Sequence, residues 1–122
     1  MPESSPDDLP FERGHVVWHE GLFRGSGRPW LVLSDDRHPF HGEEYLVVGI
    51  TTTEREDAIE LRDEDWTVGG LPRMSYVSPW FLTTLKHAAI ERGVGAVTSD
   101  TAAEVGRTVV GYVVDSPSES TE

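Results

Sequence analysis

The chain has 122 residues and a formal net charge of −12, with 22 acidic residues against 10 lysines and arginines. This length predicts one domain with a modest core, and the absence of cysteine excludes disulfides and thiolate metal sites. No apolar run approaches the length of a membrane span, and the first residues do not resemble a signal peptide. We therefore expect a cytoplasmic protein without membrane association.

The basic residues are almost all arginines, since Lys86 is the single lysine. A surface this acidic repels polyanions at ordinary ionic strength, because phosphate contacts normally supply most of the affinity for nucleic acids. One interpretation is adaptation to a very salty cytoplasm, since molar salt shortens the screening length to about 3 Å. The other is an acidic protein that never meets nucleic acid. We favour the halophilic interpretation.

The two ends of the chain are polar and Pro- or Ser-rich. Residues 1–10 and 115–122 both predict disordered tails, which leaves a domain at 11–114. Within it, segments rich in Val, Ile, Leu, Tyr and Trp alternate with Gly, Pro and Asp, which is typical of short strands. A helical turn at 63–66 precedes a break at Gly69–Gly70. The predicted strands are 15–20, 30–34, 44–51, 57–61, 74–78 and 82–91, the last of them broken.

The clearest element is a helix after Thr98 and Ser99, either of which can cap its N-terminus. Asp100 lies in the first turn, where the helix dipole favours a negative charge. Apolar residues recur at helical spacing up to Val113, so the helix is expected to pack on the sheet and to end near Asp115. Short strands at this spacing in a small chain favour a compact barrel. The sequence therefore predicts a mainly β fold, a small barrel followed by a C-terminal α-helix.

Two of the predicted strands carry polar residues at one end. Arg28 stands in a Gly-rich turn before one strand, and the threonines 51–53 stand at the end of another. If the strands pair so that these ends meet, a permanently charged guanidinium faces several hydroxyls across a small pocket. Arginine can bond two phosphate oxygens at once, and a threonine hydroxyl can donate to the same phosphate. The pair therefore predicts a phosphodiester-binding site.

The order and spacing of these motifs resemble those of the MazF/PemK family of toxin endoribonucleases. The likeness begins at 11–18 (FERGHVVW), where His15 stands in place of the usual Asp, and continues through 28–34 (RPWLVLS) and 50–53 (ITTT). It reaches the C-terminal helix and spans roughly residues 11–114. The resemblance implies an SH3-like barrel with a C-terminal helix. It also implies a homodimer with a groove for single-stranded RNA at the subunit interface, where a separate antitoxin protein also binds.

The resemblance assigns catalysis to Arg28 and Thr51, with Thr52 as the alternative, because neighbouring strand residues face opposite sides and only one can share a side with Arg28. Family members cut RNA without a metal or other cofactor, using the ribose 2′-hydroxyl as nucleophile and leaving a 2′,3′-cyclic phosphate and a 5′-hydroxyl. Arg28 would stabilise the developing phosphorane charge, and Thr51 would bond a non-bridging oxygen. Further candidates for substrate binding are Thr52, Ser26, Glu20, His38 and Ser75.

The loop before Arg28 departs from the family, since it is shorter and lacks the family's Glu and Gln. Glu20 takes roughly the position of a family acidic residue and is either a possible base or a solvated carboxylate. The five histidines follow no spacing typical of a zinc site, so no metal is expected. The predicted function is a metal-independent endoribonuclease acting as the toxin of a type II toxin–antitoxin system. The alternatives are a non-catalytic RNA- or protein-binding module on the same barrel and an acidic interaction protein for which RNA is irrelevant.

Overall fold

The computed structural model describes residues 9–21 and 26–115 and consists of one antiparallel sheet with a C-terminal helix, α1 (Ser99–Gly111). Apart from residues 9, 10 and 115, the two predicted tails lie outside the described residues, and so do residues 22–25. The seven strands are β1 (His15–His19), β2 (Arg28–Val32), β3 (Glu44–Thr51), β4 (Ile59–Leu61), β5 (Trp66–Gly69), β6 (Ser75–Lys86) and β7 (Ile90–Val97).

The strands follow the order β4-β6-β3-β2-β1-β7-β5, and every neighbouring pair is antiparallel. The sheet curls into a half-barrel whose two edges are the short strands β4 and β5. The predicted mainly β fold with one C-terminal helix is confirmed. In the part of the chain that the structure describes, no helix has the length and apolar character needed to cross a membrane.

Both faces of the sheet bury apolar side chains, because successive residues of a strand point to opposite sides. One cluster lies between the sheet and α1: Val16, Leu31, Val48, Ile50, Leu61, Val77, Val97, Ala102 and Val105. The other lies on the opposite face: Val17, Trp30, Val32, Tyr45, Val47 and Leu85. The central strands β1, β2 and β3 contribute to both clusters, so their near-continuous apolar sequences reflect burial on two sides.

β6 corrects the prediction of two separate strands at 74–78 and 82–91. It is one strand from Ser75 to Lys86, and the predicted break within 82–91 is a short 3₁₀ turn at His87–Ala89 that separates β6 from β7. Across the pair with β3, Gly49 faces Ser78 whereas Val48 faces Leu82. Three residues, 79 to 81, therefore bulge out of the ladder. Pro79 begins the bulge and lacks a backbone N–H, which a bulge accommodates and a regular ladder does not.

β5 and most of β7 were not predicted as strands. The predicted helical turn is present as a 3₁₀ turn at Asp63–Asp65, but a strand follows it before Gly70. Glycine weakens a strand, so the glycines of β7 give a sequence signal that is typical of a loop. In the fold, Gly95 lets the two strands approach closely, since a β-carbon there would stand 2.5 Å from the carbonyl oxygen of Val68.

α1 begins where the sequence indicates. Thr98 is the N-cap, and its hydroxyl oxygen accepts the backbone N–H of Thr101 at 3.1 Å. The helix ends at Gly111, four residues before the predicted end near Asp115. Val113, which the periodicity places on the core stripe, lies beyond the helix and is 75% exposed.

Candidate active site

The pairing of β2 with β3 brings Arg28 and Thr51 to the same end of the hairpin. The register sets Trp30 opposite Gly49 and Leu31 opposite Val48. The ladder ends there, and continuing its register by two residues would set Arg28 opposite Thr51. Directly opposed residues of an antiparallel pair share a face of the sheet, whereas the residue after Thr51 does not. This geometry favours Thr51 over Thr52 as the immediate neighbour of Arg28.

A cavity of about 310 Å³ opens at this end of the hairpin. It brings together four of the predicted site residues: Arg28, Thr51, Thr52 and Ser75. The rest of the described lining comes from the segment before β6 and from apolar neighbours: Trp18, Gly27, Pro29, Ile50, Leu71, Pro72 and Arg73. The mouth of the hairpin is therefore a concave site with cationic and hydroxyl groups.

Two aromatic rings support the guanidinium of Arg28. Its Cζ atom lies 5.8 Å from the ring centroid of Trp30 and 5.5 Å from that of Phe81. A cation over an aromatic face gains about 0.5–1 kcal/mol at an exposed site. No carboxylate among the described residues lies within salt-bridge distance of Arg28. The guanidinium is thus positioned by rings while its N–H donors remain available for an anion.

The hydroxyl of Thr51 is oriented by its own turn. Its oxygen accepts the backbone N–H of Thr53 at 3.1 Å. Because that bond uses a lone pair, the hydroxyl proton remains free to donate to a ligand. An arginine fork and a hydroxyl donor on one sheet face match the non-bridging oxygens of a phosphodiester.

Trp18 forms one wall of the cavity, and Gly27 allows the chain to pack on it. A β-carbon at Gly27 would stand 2.8 Å from the indole Nε1 of Trp18. Arg92 lies over the ring of Trp18, with its Cζ atom 5.1 Å from the centroid. The glycine just before Arg28 therefore serves the packing of the strand end on a tryptophan.

Ser75 lines the cavity from the start of β6, and only 4% of it is exposed. Its hydroxyl donates to the backbone carbonyl of Arg73 at 2.9 Å. The proton of Ser75 is therefore used inside the protein, where it fixes the turn that carries Arg73.

Arg73 is not among the site residues predicted from the sequence. An arginine between a proline and a methionine carries no local signal, and it reaches the cavity only because β6 pairs with β3, with Tyr76 opposite Thr51.

The other three predicted residues do not line this cavity. The hydroxyl of Ser26 lies 3.4 Å from the backbone carbonyl of Glu20. His38 belongs to the loop that joins the far ends of β2 and β3, and its Nδ1 accepts the backbone N–H of Phe40 at 3.0 Å. Their roles in substrate binding remain predictions.

Three of the other described arginines, Arg13, Arg37 and Arg62, are paired with carboxylates. Arg13 and Arg37 lie 2.6 Å and 3.0 Å from the same oxygen of Asp35, and hydrogen bonds from the side chain and backbone of Arg37 lower the pKa of Asp35 to about 2. By contrast, the described lining of the cavity holds Arg28 and Arg73 and no acidic residue. In a chain of net charge −12, this cavity is a local cationic site.

The described residues include no group of three or more His, Asp or Glu side chains arranged to hold a metal ion.

No protein-family model matches the sequence, and no curated protein sequence matches it. Solved structures do match. An endoribonuclease from Mycobacterial species is 22% identical, with a TM-score of 0.70, and the alignment covers 89% of this chain and 97% of the other.

Two complexes with antitoxins also match. A chain of the MazE–MazF complex from Deinococcus radiodurans is 20% identical, with a TM-score of 0.68 and coverage of 87% and 97% of the two chains. A Mycobacterial endoribonuclease in complex with its cognate antitoxin is 20% identical, with a TM-score of 0.64 and coverage of 84% and 91%. This chain therefore has the fold of the MazF toxin endoribonucleases.

Proposed function

We propose that this protein is an endoribonuclease that cuts single-stranded RNA without a metal ion. The observation that carries the proposal is that Arg28 and Thr51 line one cavity whose described lining holds two arginines and no carboxylate. A phosphodiester is an anion with two non-bridging oxygens, which a guanidinium and a hydroxyl can bond together. Such a site can bind several kinds of anion. The likeness in fold to MazF endoribonucleases supports RNA as the ligand.

The reaction is an internal transesterification. The ribose 2′-oxygen forms a bond to the adjacent phosphorus, and the bond from phosphorus to the 5′-oxygen of the next nucleotide breaks. The 2′-hydroxyl loses its proton to solvent and the leaving 5′-oxygen gains one, so the products are a 2′,3′-cyclic phosphate and a 5′-hydroxyl. Negative charge builds on the non-bridging oxygens, where Arg28 and Thr51 donate hydrogen bonds. Donors placed in advance where charge develops are usually the largest catalytic contribution.

The same proposal makes the protein the toxin of a type II toxin–antitoxin pair, active as a homodimer in a salty cytoplasm. Two of the structures of like fold are complexes with antitoxins, which supports a protein partner for this chain. Trp80 and Phe81 of the bulge and Leu82 directly after it are 42–44% exposed, and exposed apolar groups of this kind mark contact surfaces. A second copy on this surface would border the cavity. The single lysine and the charge of −12 support the high-salt setting.

The test is cleavage of a long single-stranded RNA in molar potassium chloride with EDTA, with wild type beside Arg28→Ala. Discrete cuts with 5′-hydroxyl ends are expected from the wild type. Arg28→Ala should cut at least about 100-fold more slowly, since removing one donor to a developing oxyanion costs about that factor. Circular dichroism shows whether both proteins are folded. Intact RNA with a folded wild type, or equal cutting by both proteins, would contradict the proposal, and RNA binding without cutting would instead favour a non-catalytic binding module.

A further inference from the structure

We propose that Arg73 is a second phosphate-binding residue, which holds the phosphate next to the scissile one on the RNA strand. The inference rests on the proposed function, because it takes the ligand of the cavity to be RNA. Arg73 lines the same cavity as Arg28, Thr51 and Thr52, although it comes from the segment before β6. The cavity therefore has arginines from two separate segments of the fold.

The position of Arg73 is fixed by its neighbours. The hydroxyl of Ser75 donates to its carbonyl at 2.9 Å, and Ser75 itself pairs with Leu61 on the edge strand β4. The turn is thus attached to the sheet directly after Arg73. A guanidinium on an anchored turn loses less conformational freedom when it binds a ligand than one on a free loop.

Arg73 also lacks a counter-ion among the described residues. Arg13, Arg37 and Arg62 each have a carboxylate oxygen at 2.6, 3.0 and 3.7 Å, whereas no described carboxylate lies within salt-bridge distance of Arg73. Two arginines facing one cavity repel each other unless an anion lies between or beside them. Arg28, Arg55, Arg92 and Arg107 also lack a carboxylate partner among the described residues, but of these only Arg28 lines the cavity of Arg73. Two such arginines in one cavity whose described lining has no carboxylate favour an external anion there.

Arg73 stands between two cavities. A second cavity of about 190 Å³ is also lined by Arg73, together with Trp66, Met74 and the acidic Asp63, whose charge favours a base over a phosphate in this space. An RNA strand whose scissile phosphate lies at Arg28 passes Arg73 as it continues into this second space. The ring of Trp66, which is half-buried, and the exposed Met74 offer an apolar surface for a base, and base–aromatic stacking contributes about 1–3 kcal/mol. We therefore assign the adjacent phosphate to Arg73 and the adjacent base to the second cavity.

The first test measures binding of a fluorescein-labelled 2′-O-methyl RNA, which lacks the nucleophile and stays intact. Fluorescence anisotropy over a series of potassium chloride concentrations gives the slope of log K against log salt. Arg73→Ala should weaken binding and reduce the slope by about 0.7, the value for one phosphate of a single strand. Arg73→Lys should keep the slope. Arg107→Ala is the matched control, because it removes the same charge from α1, where it lines a separate cavity.

The second test identifies the phosphate. Once the cut has been mapped by sequencing, a neutral methylphosphonate is placed on one side of the scissile phosphate or the other. The substitution at the phosphate held by Arg73 should slow the wild type and should not slow Arg73→Ala further. If both proteins lose the same factor at both positions, Arg73 does not hold the neighbouring phosphate.

The two proposals fail in different ways. A wild type that binds the 2′-O-methyl RNA with an Arg73-dependent slope but leaves ordinary RNA intact would overturn the endoribonuclease and support the phosphate site. A wild type that cuts RNA while Arg73→Ala keeps the wild-type slope would overturn the role of Arg73 alone. No binding of the 2′-O-methyl RNA by folded wild type, or an equal loss of slope in Arg107→Ala, also overturns the role of Arg73.

Discussion

The ring of Phe81 lies against the backbone of Gly49, so that a β-carbon at Gly49 would stand 2.7 Å from Cδ2 of Phe81. Gly49 in β3 lies opposite Trp30 in β2, and the ring centroids of Trp30 and Phe81 are 5.1 Å apart. Both rings support the guanidinium of Arg28. The missing side chain at Gly49 is therefore a condition for the position of Arg28.

The first prediction concerns Gly49→Ala. The added methyl group displaces the ring of Phe81, and overpacking of this kind costs about 1–3 kcal/mol of stability. Arg28 also loses part of its cation–π support, about 0.5–1 kcal/mol, so RNA cleavage should fall several-fold in protein that remains folded. Urea unfolding and initial cleavage rates measure the two effects.

Gly106→Ala is the control for this change. Gly106 lies in α1, and a β-carbon there meets no atom within 4 Å. Alanine within a helix is better than glycine by about 0.5–1 kcal/mol, so this variant should gain stability and keep its cleavage rate. Gly49→Ala with wild-type stability and rate would show that Phe81 moves aside without consequence for Arg28.

The second prediction separates Thr51 from Thr52. Thr51 shares the sheet face of Arg28 and holds its hydroxyl proton free for a ligand, whereas the next residue falls on the other side. Thr51→Val should lower kcat by about 100-fold or more, as expected for a lost donor to a developing oxyanion, and Thr51→Ser should retain most of the activity. Thr52→Val should cost less than Thr51→Val. A larger loss at Thr52 would reverse the assignment.

The meeting of Arg28 and Thr51 could be predicted from the sequence because its determinants are local. Two apolar segments separated by a single loop pair as antiparallel neighbours, and alternation along a strand then decides which side chains share a face. The N-cap could be narrowed to Thr98 or Ser99 for the same reason, since a cap and its helix are contiguous, and the structure has Thr98 there.

The contribution of β6 could not be predicted, because it depends on pairing between distant segments. Arg73 reaches the cavity through the pairing of Tyr76 with Thr51, and Phe81 reaches Arg28 through a bulge that only the ladder of β3 reveals. The strand containing Gly95 was missed because a glycine that permits close strand approach has the same local signal as a glycine in a loop.

The third prediction concerns Asp65, which joins the 3₁₀ turn to the start of α1. One carboxylate oxygen accepts the hydroxyl of Thr101 at 2.8 Å, and the other accepts the backbone N–H of Arg62 at 2.8 Å. Asp65→Ala leaves both donors without this partner, and hydrogen bonds to charged groups contribute about 1.5–3 kcal/mol each. The free energy of unfolding in urea should therefore fall by at least the contribution of one such bond, about 1.5–3 kcal/mol. Glu64→Ala, which removes the same charge from the same exposed turn, should have little effect, and equal losses would contradict the role of Asp65.

The last prediction follows from the two arginines that share Asp35. Hydrogen bonds from Arg37, together with the charge of Arg13, lower the pKa of Asp35 from 3.8 to about 2. The folded protein therefore keeps this carboxylate ionised where the unfolded chain protonates it. The resulting stability is present above pH 3.8 and is lost as the pH falls through about 2.

In Asp35→Asn this contribution is absent at every pH. Its melting temperature should lie below that of the wild type above pH 3.8, and the gap should close as the pH approaches 2. Potassium chloride should narrow the gap, since salt screens exposed ion pairs. Asp36→Asn is the control, because the adjacent Asp36 forms no salt bridge within the described residues. A gap between wild type and Asp35→Asn that stays constant down to pH 2 would show that the folded and unfolded states bind this proton alike.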